Sequence, residues 1–118
     1  MAMQRRLVGV IAACLMLASG AASAQTVRLE QYRHPSEPKF ELYNKLYLAG
    51  LKDGLIVYTV RQDAKDRLFC LPPDLMLTTE QAEEIMLRFA DKRQVPGNVP
   101  IGLPLLAGLR EAYPCDKQ

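Results

Sequence analysis

Three cysteines, one histidine and a small set of acidic side chains are what this 118-residue chain offers for chemistry. Cys70 sits in Phe69-Cys70-Leu71-Pro72-Pro73, and Cys115 in Tyr113-Pro114-Cys115 close to the C-terminus. Nucleophilic catalysis needs Ser, Cys, Thr or Lys beside a base. Past the first 24 residues the chain has one histidine, His34, and one serine, Ser36. The two lie in a proline-containing stretch ill suited to hold a triad in fixed geometry. A zinc site needs three or four converging Cys, His or carboxylate ligands, and no such spacing occurs. Glu83 and Glu84 are adjacent on an expected helix, so they diverge by about 100° around it. That is a poor start for a carboxylate pair, and their simple reading is helix-start charge on a solvated face. Glu84 with Arg88 reads as a surface i,i+4 pair. No glycine-rich phosphate loop follows a strand.

The N-terminus explains the cysteines. Arg5 and Arg6 precede an apolar run over residues 7–17, and Ala22-Ser23-Ala24 supplies a small-residue cleavage site before Gln25. These are the parts of a secretory signal, and the run is shorter than the roughly 20 residues of a spanning helix. Ile11-Ala12-Ala13-Cys14 resembles a lipobox, but the apolar Leu15, Met16 and Leu17 that follow disfavour lipidation at Cys14. Residues 1–24 are therefore expected to be a cleaved signal directing the chain to the periplasm. Cys70 and Cys115 then remain as an even pair in an oxidising compartment, where a disulfide is expected. The loop it closes is about 45 residues, and the chain-entropy model gives about 4 kcal/mol for it.

Charge follows the same division. The whole chain has 15 Lys and Arg against 13 Asp and Glu. Removing Arg5 and Arg6 leaves 13 of each and a net charge of zero. A neutral chain without a basic cluster lacks the electrostatic footprint of a nucleic-acid binder, and after signal cleavage nothing in it suggests membrane attachment.

Residues 25–38, with two prolines and no apolar periodicity, read as an extended, flexible arm. The domain proper is expected over residues 39–118. Between 39 and 61, Tyr43, Tyr47, Gly50, Gly54 and Tyr58 recur at helical steps, with Leu42, Leu46 and Ala49 beside them. The tyrosines are expected in the core. Gly50-x-x-x-Gly54 could mark membrane pairing, but Lys52 and Asp53 between the glycines favour a close approach by another helix of the domain. A break near Gly54, ahead of the β-branched run to Val60, is the alternative. Residues 61–67 form a charged connection, and Pro72-Pro73 ends the short apolar stretch 68–71. Thr78 with Gln81 makes a capping box for a helix whose inner stripe is Ala82, Ile85, Met86, Phe89 and Ala90. Residues 94–104 are a Pro/Gly-rich loop. A last helix from Pro104 to Tyr113 points Leu105, Leu106, Leu109 and Ala112 inward. The result is an all-α domain, a small bundle of three to four helices stapled by Cys70–Cys115.

The ordered set Tyr47-Leu48-Ala49-Gly50, Gly54, Cys70-Leu71-Pro72, Thr78, the helix of Phe89 and Tyr113-Pro114-Cys115 resembles the Tai family. Those proteins are immunity proteins against the peptidoglycan amidases delivered by type VI secretion. The match runs over about residues 41–115. Many relatives carry a further cysteine where this chain has Tyr43-Asn44-Lys45, and more helical residues where it has Gly97-Asn98. The resemblance implies a helical periplasmic protein, often a homodimer, that plugs the cleft of a cysteine amidase and needs neither cofactor nor metal. Two exposed charged loops qualify as the plug. One carries Gln62, Asp63, Lys65, Asp66 and Arg67; the other carries Arg93, Gln94 and Asn98. The first is favoured because it is held at its base near the disulfide. A different class, a small periplasmic chaperone of the acid-stress type, would instead expose apolar surface when its carboxylates protonate. An enzyme would have to work with Asp, Glu and Tyr alone, so the chain reads as a non-enzyme.

Overall fold

The computed structural model describes residues 26–115; the expected signal segment, its expected cleavage point between Ala24 and Gln25, and Cys14 lie outside them. The described chain is helical: α1 (Leu29–Arg33), α2 (Pro38–Val60), a 3-10 turn (Ala64–Asp66), α3 (Thr79–Lys92) and α4 (Gly102–Ala112). Among the described residues the only strand-like pairing is a single bridge between Arg28 and Pro100. Cys70 and Cys115 form the expected disulfide, with Cα atoms 5.0 Å apart.

The core lies where α3 packs on α4, with α2 laid over them. α3 starts as its sequence dictates: the Gln81 amide donates to Thr78 Oγ1 at 3.1 Å and the Thr78 amide donates to Gln81 Oε1 at 2.9 Å. Ala82, Met86 and Ala90 are buried from this helix, and Leu105 and Leu109 from α4, against Leu48 of α2 and Phe69 from the connection. Gly108 makes the α3–α4 approach possible. A Cβ there would stand 2.9 Å from Ile85 Cγ2 and 3.0 Å from the Ile85 carbonyl oxygen. α4 begins two residues ahead of Pro104, and Ala112 is exposed at its end, where the chain turns away toward Cys115.

Two expectations need correction. Residues 25–38 are not simply an extended arm. Leu29 and Tyr32, three apart, lie on one face of α1 and are 1% and 8% exposed. The Leu29 amide donates to the Val99 carbonyl, the Glu30 amide to the Gly97 carbonyl and the Ile101 amide to the Val27 carbonyl, at 2.9 to 3.0 Å. Pro38 is the first residue of α2, where its missing N–H costs nothing. The second correction concerns α2, which runs unbroken through Gly54 as expected but turns Tyr43 and Tyr58 outward, with only Tyr47 half-buried against the core. Tyr43 and Tyr58 are more than half exposed, as are Leu42 and Leu46. The buried residues of α2 are Asn44, Leu48 and Thr59, about a third of a turn round from that stripe. The core side of α2 is selected by polar anchors that periodicity does not register. Asn44 Nδ2 donates to the Gln31 carbonyl at 2.9 Å, and Lys52 Nζ donates to the Leu77 carbonyl at 3.0 Å.

Candidate partner-binding surface

The charged connection after α2 is an exposed polar segment with a fixed base. Asp63, Ala64, Lys65 and Asp66 are exposed, and a 3-10 turn stiffens them. At the near end the Gln62 amide donates to the Thr59 carbonyl at 3.2 Å, continuing the last turn of α2. The Asp66 amide donates to the Asp63 carbonyl at 2.8 Å, and Arg67 Nε donates back to the Gln62 carbonyl at 3.2 Å. These bonds cinch the two feet of the loop together. The disulfide stands beside them, with Cys115 Sγ 3.9 Å from the Arg67 carbonyl oxygen. Three residues on, the Cys70 amide donates to the Tyr113 carbonyl at 2.8 Å. A loop built this way presents Asp63, Lys65 and Asp66 with little conformational freedom left to lose on binding.

The second candidate segment is used differently. Gln94 adopts φ 51°, ending α3 in a left-handed turn, and the Val95 amide closes it by donating to the Ala90 carbonyl at 2.9 Å. Gly97 then passes directly under α1, where a Cβ would lie 3.0 Å from Glu30 Cβ. Arg93 turns back over the Phe89 ring and reaches Glu111 at 3.6 Å, beside Lys92 bonded to the same carboxylate. Lys92 holds the Glu111 carboxyl below its ordinary range. Asn98 stays exposed between two anchored carbonyls. Gly97 thus helps to seat the N-terminal segment, while Arg93, Gln94 and Asn98 remain exposed. No hydrogen bond or ion pair joins them to residues 62–67 among the described residues.

Glu83 does more than its sequence position suggests. It is half-buried and ties three helices together: Tyr32 Oη donates to Oε1 at 2.8 Å and Lys45 Nζ donates to Oε2 at 3.0 Å. Burial, then the bond to the Glu83 carboxylate, drives the Tyr32 phenol far above its ordinary value. The same carboxylate raises Lys45. These groups line an open cleft of about 580 Å³ that also includes Arg33, His34 and Asp91. Two ion pairs lie in it, Lys45 with Glu83 and Arg33 with Asp91, and Glu41 lines it as well. The Tyr32–Glu83–Lys45 node is a cross-brace between α1, α2 and α3. Among the described residues no three His, Cys, Asp or Glu side chains converge as metal ligands. Periodicity could not have found the node, because Tyr32, Lys45 and Glu83 are far apart in sequence and each looks solvated alone.

No family model, curated protein or solved structure matches the chain.

Proposed function

We propose that this protein is a periplasmic immunity protein that inhibits a secreted peptidoglycan amidase by inserting residues 62–67 into its active-site cleft. The observation that carries the reading is the braced loop. Asp63, Lys65 and Asp66 project from a 3-10 turn whose feet are bonded together through Arg67 and the Gln62 carbonyl, next to the Cys70–Cys115 disulfide. A stiff, charged projection on a small helical body suits steric occlusion, which asks nothing of the inhibitor but shape and charge. The motif order around Gly50, Cys70, Thr78 and Cys115, which resembles the Tai family, supplies the partner class. Arg93, Gln94 and Asn98 are the alternative plug; they are exposed, but their segment is held to α1 only through Gly97, whose carbonyl accepts from the Glu30 amide.

The test is capture of cell-wall amidases at pH 7 by the oxidised chain from Gln25 to Gln118. A stoichiometric complex that blocks cell-wall cleavage, weakened by Asp63→Ala, Lys65→Ala and Asp66→Ala together, supports the proposal. Absence of any amidase complex, with suppression of client aggregation only at acid pH, would replace it with the chaperone class.

A further inference from the structure

The cleft between α1, the start of α2 and α3 holds more polar capacity than its cross-brace uses. It encloses about 580 Å³, a size typical of small-molecule sites. Its charged lining is Arg33 and Lys45 against Glu41, Glu83 and Asp91, a surplus of one negative charge. That surplus sits at Glu41, whose carboxylate makes no ion pair or hydrogen bond among the described residues. Lys45, one turn further along α2, is drawn to Glu83 instead, at 3.0 Å. Asn44 stands beside Glu41 on the same face of α2. It is 8% exposed and donates from Nδ2 to the Gln31 carbonyl, which leaves its Oδ1 without a donor among the described residues. Of these residues only Thr59 has a side-chain oxygen both unpartnered and sealed from solvent, so Asn44 Oδ1 opens on cleft space. Asn44 lines this cleft and a second of about 560 Å³ that adjoins it across His34 and Pro35. The α1 side is the reverse, rich in unused donors. Arg33 engages Asp91 through a single guanidinium nitrogen, and the His34 ring makes no hydrogen bond among the described residues. Pro35 and Leu87 add apolar wall.

We infer that this cleft binds a zwitterion, a short peptide with free amino and carboxyl ends, its ammonium at Glu41 and Asn44 and its carboxylate at Arg33 and His34. An ammonium group only donates, and it matches the unfilled acceptors of α2; a carboxylate only accepts, and it matches the unfilled donors of α1. A simple anion would meet the surplus negative charge at Glu41. A diamine would satisfy Glu41 but set its second cation against Arg33 and His34. Apolar side chains of the peptide rest on Pro35 and Leu87. The site and residues 62–67 lie at opposite ends of α2, about 30 Å apart along the helix. Binding in the cleft therefore does not depend on what that loop engages.

Titration of the oxidised chain from Gln25 to Gln118 with leucyl-alanine, followed by NMR amide shifts, tests this without any amidase. Saturation is expected with a Kd of about 0.1–1 mM and with shifts grouped at residues 32–35, 41–45 and 83–91. Acetylating the amino end of the dipeptide should weaken binding about tenfold, and so should Glu41→Gln. The two losses should not add, because both remove the same ion pair. Amidating the carboxyl end and Arg33→Gln should each weaken binding about tenfold, again without adding. Far-UV circular dichroism of both variants should match the parent, since Glu41 is unpaired and the Arg33–Asp91 pair is exposed. Cadaverine should bind at least about tenfold more weakly than the dipeptide. No saturation by leucyl-alanine up to about 10 mM, or equal binding of the peptide blocked at both ends, would overturn the proposal. Cadaverine binding as tightly as the dipeptide would overturn the zwitterion as the ligand class, and losses that add would overturn the assigned orientation.

Discussion

Replacing Gly108 with alanine sets two effects of similar size against each other. In a helix interior alanine is favoured over glycine by about 1 kcal/mol, so propensity alone predicts a more stable protein. Packing opposes it. The new methyl would sit 2.9 Å from Ile85 Cγ2, 3.0 Å from the Ile85 carbonyl oxygen and 3.3 Å from Phe89 Cβ. The Ile85 methyl can rotate away, but the carbonyl belongs to the backbone of α3 and moves only if the helix moves. Overpacking of this kind costs about 1–3 kcal/mol, and backbone as the obstacle puts it toward the upper end. The net expectation is a loss of about 1–2 kcal/mol. With a urea dependence of about 1–2 kcal/mol per molar for a domain this small, the unfolding midpoint should fall by about 1 M. The assay is urea unfolding of the oxidised protein followed by far-UV circular dichroism, with the slope required to stay constant. A midpoint equal to or above that of the parent would refute the claim that α3 and α4 touch at Gly108.

Leu29→Ala should lower stability by about 2–5 kcal/mol, because Leu29 is 1% exposed in the core; an unanchored arm would show no change on urea unfolding. Thr59→Val should raise stability by about 1 kcal/mol, since the Thr59 hydroxyl is buried without a hydrogen-bond partner and valine keeps the same shape. An unchanged or lowered melting temperature would count against it. The folded state holds the Tyr32 and Lys45 protons more tightly than the unfolded chain does, so the stability they contribute is complete below about pH 10 and is lost as pH rises beyond. The slope from Tyr32 should approach about 1.4 kcal/mol per pH unit, with less from the more exposed Lys45. Melting temperatures from pH 9 to 11 should fall less steeply in Tyr32→Phe, and an identical decline would reject the Tyr32–Glu83 bond as its source.

Local chemistry was legible in the sequence because it acts over a few residues. Thr78 and Gln81 announced the start of α3, since a capping box needs only those two side chains and the intervening turn. Cys70 and Cys115 announced their pairing through parity, once residues 1–24 were set apart as an expected signal. The inner stripe of α3 followed from spacing, because that helix has one apolar face and one charged face. The all-α class and the charged connection at 62–67 were equally plain.

What the tertiary structure decided was which apolar face goes inside. α2 is apolar over most of its circumference, so hydrophobic periodicity pointed to the tyrosine stripe as readily as to the side bearing Leu48. Asn44 and Lys52 settled the matter by reaching carbonyls on distant segments, at Gln31 and Leu77. The same holds for α1, where a five-residue helix has too few turns to show a period, and Leu29 is buried only because residues 97–101 offer it carbonyls and a wall. Glu83 became a joint between three helices because folding places Tyr32 and Lys45 over it. Spacing along one chain records a helix's own faces; the partner that each face meets is fixed by hydrogen bonds and packing between residues that sequence order keeps apart.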